Sequence, residues 1–205
     1  MLQIIGEAIL ERKFIDDYAH LHSSGVYGFG GRHLPEVLPH LMAFKPESLI
    51  DYGAGRSRIA ERLGKKAGIR DVVAFDPAIP DRATPPNRRF SVVVSFDVLE
   101  HIPEEEMDAV LREMATLAPN ALHVIDTRPA KATLSDGRNA HVSQHDEEWW
   151  LERLSHFWPG TVPFAMKRGR VGIKTWQNSL PRWKHNMIVQ REKIAMKLRK
   201  KIGIN

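Results

Sequence analysis

The 205-residue chain contains no cysteine. A disulfide framework, a thiolate metal site and a cysteine nucleophile are therefore excluded outright. No stretch approaches the roughly 20 consecutive apolar residues that a membrane-spanning helix needs. The first dozen positions already carry Glu7, Glu11 and Arg12, which is unlike an export signal. A soluble, cytoplasmic protein is expected. Internal repeats, low-complexity segments and long linkers are also missing. At 42% hydrophobic residues the chain can bury one substantial core, whereas two domains would each be small. One domain over residues 1–205 is expected, with a helical cap at 1–45, a core at 46–176 and a tail at 177–205.

Acidic residues are nearly absent from the C-terminal fifth. Residues 165–205 hold twelve Lys and Arg against one acid, Glu192, while the other 164 residues hold 18 basic and 24 acidic side chains. Such asymmetry suits an anionic partner: nucleic acid, a phosphorylated carrier or glycan, or a membrane surface. Within this tail Trp183, Met187, Ile194, Leu198 and Ile202 fall near one helical face, giving a basic amphipathic helix.

Ahead of the core, residues 3–20 have helical spacing of apolar positions. A segment rich in glycine and aromatics follows at 25–31, and then an amphipathic stretch at 34–44 that Pro39 is expected to break. Short apolar runs at 48–51, 71–75, 90–96 and 121–125 read as strands. The segments 58–66 and 103–117 read as helices, the second with Pro103 and three glutamates where the helix dipole favours them. Buried strands alternating with helices imply an α/β fold with a mostly parallel sheet covered on both faces. Beyond a polar stretch at 127–145 come a helix at 146–157 and two final strands, 161–166 and 171–176, joined around Gly169. Adjacent Trp149 and Trp150 point about 100° apart on that helix, so one of them is expected in the core.

A strand ending in Asp51 and followed by Gly53-Ala54-Gly55 puts a turn with little side chain at the sheet's carboxyl edge, where open α/β sheets bind ligands. Asp76 ends the next strand, placed to accept both hydroxyl protons of an adenosine ribose. The run FSVVVSFDVLEH, residues 90–101, brings a third strand end to the same crevice.

Together these motifs resemble the class I S-adenosylmethionine-dependent methyltransferases, in which an acid and G-x-G close the first strand, an acid closes the second, and a D-V-L-E-H-like stretch follows the fourth. The resemblance covers residues 48–126. It implies a Rossmann-like fold with S-adenosylmethionine as cofactor. Asp51, Gly53, Ala54 and Gly55 would hold the methionine half, Asp76 the ribose, Pro77 a face of the adenine, and Asp97 and Val98 the cofactor's other side. The longer pattern looks like small methyltransferases of bacteria and their phages.

Two departures from that pattern stand out. Thirteen residues separate Asp76 from Phe90, too few for the helix and strand that the full fold places there, so the sheet is expected to be reduced between the second and fourth strands. The acid that usually binds the adenine amino group falls in the same interval, which leaves adenine to the loop at 79–89. A dinucleotide fingerprint fits less well. Its third glycine is replaced by Arg58, and Asp51 suits an ammonium better than a pyrophosphate.

Methyl transfer from a sulfonium is an in-line displacement in which positioning does much of the work and a base serves acceptors that lose a proton. His101 and His141 are the candidate catalytic residues, with His145 nearby. Tyr27, accompanied in the cap by Tyr18 and Phe29, is the candidate to face the sulfonium by cation–π attraction. His141, His145 and Asp146 straddle a helix start without a clear fourth ligand, so no metal site is expected. The stretch Ser95-Phe96-Asp97-Val98 is unlike the Asn or Asp, paired prolines and aromatic of enzymes that methylate base amines in DNA. The expected acceptor is a hydroxyl or amine on a small molecule or glycan. The alternatives are an RNA or other nucleic-acid acceptor gripped by the basic tail, and a cofactor-free interaction module.

Overall fold

In the computed structural model, which describes residues 12–23 and 30–201, the short apolar runs become strands because both faces of each are covered. Four of them form a parallel set: β1 (Ser48–Tyr52), β2 (Asp71–Phe75), β3 (Val92–Phe96) and β4 (Ala121–Asp126). The expected hairpin follows as β5 (Val162–Phe164) and β6 (Arg170–Lys174), with β6 antiparallel to both β4 and β5. The six-stranded order is β2-β1-β3-β4-β6-β5. Residues 76–91 contribute only the 3-10 turn Pro80–Arg82, so the sheet is reduced where the spacing predicted it.

The helices are α1 (Arg12–Ser23), α2 (Leu34–Phe44), α3 (Ile59–Ala67), α4 (Glu104–Leu117), α5 (Glu147–Ser155) and α6 (Arg182–Lys201). Alternation along β3 shows how they are sorted. Val93 packs into one core with Met107, Leu111 and Trp150 of α4 and α5. Val92 and Val94 pack into another with Leu34 and Leu41 of α2 and Leu63 of α3. Fully burying each of these side chains stabilises the fold by about 1.5–3 kcal/mol. As expected of the tryptophan pair, Trp150 is sealed in the core while Trp149 is half-buried.

Local signals set the helix ends. Three acids occupy the first turn of α4, the Asp146 side chain accepts the Trp149 N–H at 3.0 Å to cap α5, and Gly68 closes α3 in the left-handed region at φ +77°. Pro39 does not break the second helix as expected. α2 runs through it, and Pro39 is buried within the packed face. The proline removes one backbone bond, and tertiary packing of that face holds the helix together.

The tail is helical, but its packing differs from the simplest reading of an amphipathic pattern. α6 lies on α2 and is fixed by buried Ile188 and by Glu192, whose Oε1 accepts from Lys66 Nζ at 2.8 Å. Trp183, Met187, Ile194 and Leu198 instead face outward and are 54–69% exposed. Among the described residues no helix is long and apolar enough to cross a membrane.

Candidate functional site

The chain leaves β1 by way of α3 to form β2 on one side, then returns to form β3 on the other. β1 and β3 are thus neighbours at a topological switch point, and ligands of open α/β sheets bind outside the carboxyl ends of such strands. Two of the sequence-predicted segments, Asp51 to Gly55 and Asp97 to Val98, meet there.

Gly53 sits at φ +76°, and a Cβ on it would lie 2.6 Å from a methyl of Val98. Only glycine fits both that backbone and that approach. The backbone N–H groups of Gly53 and Ala54 both donate to the Phe75 carbonyl, at 2.9 and 3.0 Å, which ties the turn to the end of β2. Asp76 is buried. Its Oδ2 accepts the Gly55 N–H at 2.7 Å and its Oδ1 accepts the Ala78 N–H at 2.8 Å. A carboxylate offers about four acceptor positions, so two such bonds leave capacity for ribose hydroxyls. Arg82 completes the clamp by donating to the carbonyls of Gly55 and Ser57 at 2.8 and 2.9 Å. Sequence reasoning missed Arg82, because nothing in the loop at 79–89 indicates that it folds back on the glycine turn.

Asp51 is 1% exposed, and its Oδ2 has no hydrogen-bond partner. Burial pushes its carboxyl up to about 8; Arg82 opposes the rise, while Asp76 and Glu61 add to it. An orphaned buried carboxylate oxygen beside a backbone-lined turn fits an incoming ammonium.

Asp97 stands in the left-handed region at φ +55°, and its side chain is already engaged. Oδ2 meets Arg32 at 2.6 Å and His33 Nε2 at 2.7 Å, with Arg170 3.6 Å from Oδ1. Burial alone would raise its pKa. The hydrogen bond and charge of His33, together with Arg32 and Arg170, outweigh burial and hold the carboxyl well below the usual range. Arg32 and His33 enter from the 3-10 turn before α2, a segment that carried no sequence signal of a role at the site.

The two candidate catalytic histidines come together. His101 ends the short 3-10 turn Leu99–His101, and its ring lies 4.7 Å, edge to face, from that of His141. Tyr18 of α1 packs against His101 at 5.0 Å, and its hydroxyl reaches the carbonyls of His101 and Ala140 at 3.0 and 2.9 Å. Glu100, within the predicted D-V-L-E-H stretch but not singled out there, is fully buried. Its Oε1 accepts the Asp126 N–H at 2.9 Å and its Oε2 has no partner. His145 stands apart from this pair: its Nε2 contacts Glu104 at 2.7 Å and its ring stacks on Trp149. Pro77 is half-buried directly beyond Asp76. Tyr27 and Phe29 lie outside the described residues.

A family model described as a methyltransferase domain matches residues 30–185. Among curated proteins none matches. Among solved structures, the 1,6-didemethyltoxoflavin-N1-methyltransferase of Burkholderia thailandensis, with 1,6-didemethyltoxoflavin and S-adenosylhomocysteine bound, is similar at TM-score 0.57 and 16% identity, over 85% of this chain and 93% of that one. The magnesium protoporphyrin IX methyltransferase of Synechocystis PCC 6803, with S-adenosylhomocysteine bound, is similar at TM-score 0.54 and 15% identity, over 80% and 96%. At such identities the likeness is one of fold.

Proposed function

The chain belongs to the methyltransferase-domain family, and from that premise we propose that it moves a methyl group from S-adenosylmethionine to a hydroxyl or amine of a small molecule or glycan. The observation that carries this reading is the unpartnered, buried oxygen of Asp51 beside the clamped glycine turn. In it, Asp51 takes the methionine ammonium and the backbone of Gly53, Ala54 and Gly55 receives the methionine half. Asp76 takes the ribose hydroxyls, and Pro77 covers one adenine face. Asp97 contributes its left-handed turn rather than its carboxylate, and Val98 closes against Gly53. Tyr27 is proposed to face the sulfonium from the cap. His101 and His141 stand beside the acceptor as the candidate catalytic residues. The whole chain is read as one methyltransferase unit, its cap, core and tail serving a single site.

Displacement at the methyl carbon forms the new bond as the carbon–sulfur bond breaks, and the sulfonium becomes a neutral thioether. Calorimetric titration with S-adenosylhomocysteine tests the assignment. We expect saturable binding, weakened about 100-fold in Asp76→Ala, because two charge-assisted hydrogen bonds are lost. Absence of binding to the unaltered chain would leave a cofactor-free module as the better description.

A second reading concerns the anionic partner. The outward face of α6 combines Trp183, Met187, Ile194 and Leu198 with Lys184, Arg191, Lys197 and Lys201 on the same helix. Phosphates alone reward only the charges, whereas an anionic lipid surface rewards both charges and apolar area. That favours a membrane surface over nucleic acid as the partner of this helix.

A further inference from the structure

The side chains of Glu100, His101 and His141 each offer a ligand atom, and these atoms lie within 4.8 Å of one another. The two rings are oriented by backbone. His101 Nδ1 lies 2.8 Å from the Ala140 carbonyl, and His141 Nδ1 lies 2.5 Å from the Arg128 carbonyl. A carbonyl oxygen only accepts, so each Nδ1 carries a hydrogen, and Nε2 is the nitrogen that would ligate an ion. Metal-binding histidines are characteristically held this way, with the far nitrogen donating to a fixed oxygen. Glu100 is prepared in a similar manner: the Asp126 N–H fixes Oε1, and Oε2 is left buried with no partner. The segment bearing His141 is itself pinned, since Asn139 Oδ1 accepts the His141 N–H at 2.9 Å and the Ser143 N–H donates to the Glu100 carbonyl at 3.1 Å.

We propose that Glu100, His101 and His141 form a divalent metal site of two imidazoles and one carboxylate, which activates a hydroxyl acceptor. This departs from the expectation of no metal, which weighed His141 with His145 and Asp146 and overlooked the buried glutamate. The donor set suits Mn2+, Fe2+, Co2+ or Zn2+ and leaves coordination positions for substrate oxygen. Ligand atoms around such an ion are about 3–3.5 Å apart at bond lengths near 2.1 Å, so binding draws the three groups together by on the order of 1 Å. The cluster stands one 3-10 turn beyond Val98, the side chain that closes on Gly53, and so adjoins the proposed donor site.

The role of the ion rests on the methyl-transfer reading above, and it narrows the acceptor from a hydroxyl or amine to a hydroxyl. A hydroxyl bound to a divalent ion loses its proton near neutral pH. The alkoxide oxygen then bonds to the methyl carbon as the carbon–sulfur bond breaks, and the released proton passes to solvent.

Equilibrium dialysis of chelator-treated full-length protein against Mn2+, Co2+ and Zn2+ tests the site, with the visible spectrum of the Co2+ form reporting nitrogen and oxygen ligation. We expect about one ion per chain, and binding at least about 10-fold weaker in both Glu100→Gln and His141→Ala. Glu100→Gln is close to isosteric, and His141 is only half-buried, so one variant controls for the folding of the other. S-adenosylhomocysteine affinity, measured alongside, should stay within about 3-fold of the unaltered chain in His141→Ala, a change below 1 kcal/mol. Less than a tenth of an ion per chain, or equal binding by both variants, would overturn the site. Stoichiometric metal on a chain that binds no S-adenosylhomocysteine would uphold the site and overturn the methyl-transfer reading instead.

Discussion

A carboxylate sealed from water with one oxygen unpartnered is costly unless it is protonated, and Asp51 is such a group. With its pKa raised to about 8, the native chain holds a proton that the unfolded chain releases near pH 4. Asp51 therefore contributes stability that is fully present below the unfolded value and is lost as pH rises through about 8. A ligand ammonium reverses the preference by favouring the charged form. Binding of S-adenosylhomocysteine at pH 7 is expected to release close to one proton. Calorimetry in two buffers of different ionisation enthalpy would show this as a difference in apparent heat. In Asp51→Asn the buffer dependence should vanish, and affinity should fall by about 10- to 100-fold, the range of a hydrogen bond to a charged group. Identical proton release in the variant would remove Asp51 from the ammonium site. The placement of Asp51, Gly53 and Asp76 at the sheet's carboxyl edge was legible in the sequence because strand ends and glycines mark themselves locally. Arg82, Arg32 and His33 were not, since each acts across a loop whose path depends on tertiary contacts. Glu100 was in plain view within D-V-L-E-H, but only burial reveals its orphaned oxygen.

Among the described residues, periodicity located the strands and the α-helices to within a few residues, apart from the break expected at Pro39, because most of them bury a continuous apolar face; the 3-10 turns left no such trace. It said less about which face goes where. The helical spacing of Trp183, Met187, Ile194 and Leu198 is real, yet these side chains point away from the body, and α6 is fixed by Ile188 and the Lys66–Glu192 pair. An ion pair in the docking face leaves little sequence trace. If the outer face of α6 meets anionic lipid, the protein should bind vesicles containing phosphatidylglycerol at least about 10-fold more tightly than phosphatidylcholine vesicles, since each basic side chain near the surface adds roughly 1 kcal/mol. Trp183 emission should shift to the blue on binding. Ile194→Ser combined with Leu198→Ser should abolish the attachment without lowering the melting temperature, as both positions are exposed. Attachment that survives the double substitution but disappears at high salt would mean that charge alone is at work there. In that case a polyanion such as RNA becomes the better partner.

Across the whole molecule, α2, the β5–β6 hairpin and α6 converge on His40. It is buried, its ring lies 4.3 Å from that of Phe164 and 5.2 Å from that of His185, and its Nδ1 has no partner. Burial, with the charges of Lys174 and His185, lowers its pKa to about 3. The folded chain thus keeps His40 neutral where the unfolded chain takes up a proton, and the stability present above pH 6.5 is lost as pH falls toward 3. Denaturant titrations between pH 4 and 6 should show stability rising with pH. That slope should drop by about one proton in His40→Phe. An unchanged slope would place the acid sensitivity elsewhere, His123 being the other buried histidine held near 3.

The reduced sheet has a consequence for handling as well as for ligand binding. Among the described residues no strand forms between 76 and 91, so β2 is the edge strand on its side, the kind of edge with which a strand of another molecule can pair. Asp71, at the start of β2, is held by Arg88 through two short bonds of 2.5 and 2.6 Å, and the Arg88 guanidinium lies over Phe90. Charge at this margin is a familiar guard against edge-to-edge aggregation. Neutralising the pair, as in Asp71→Ser with Arg88→Ser, is expected to raise the aggregated fraction that light scattering detects in a concentrated solution.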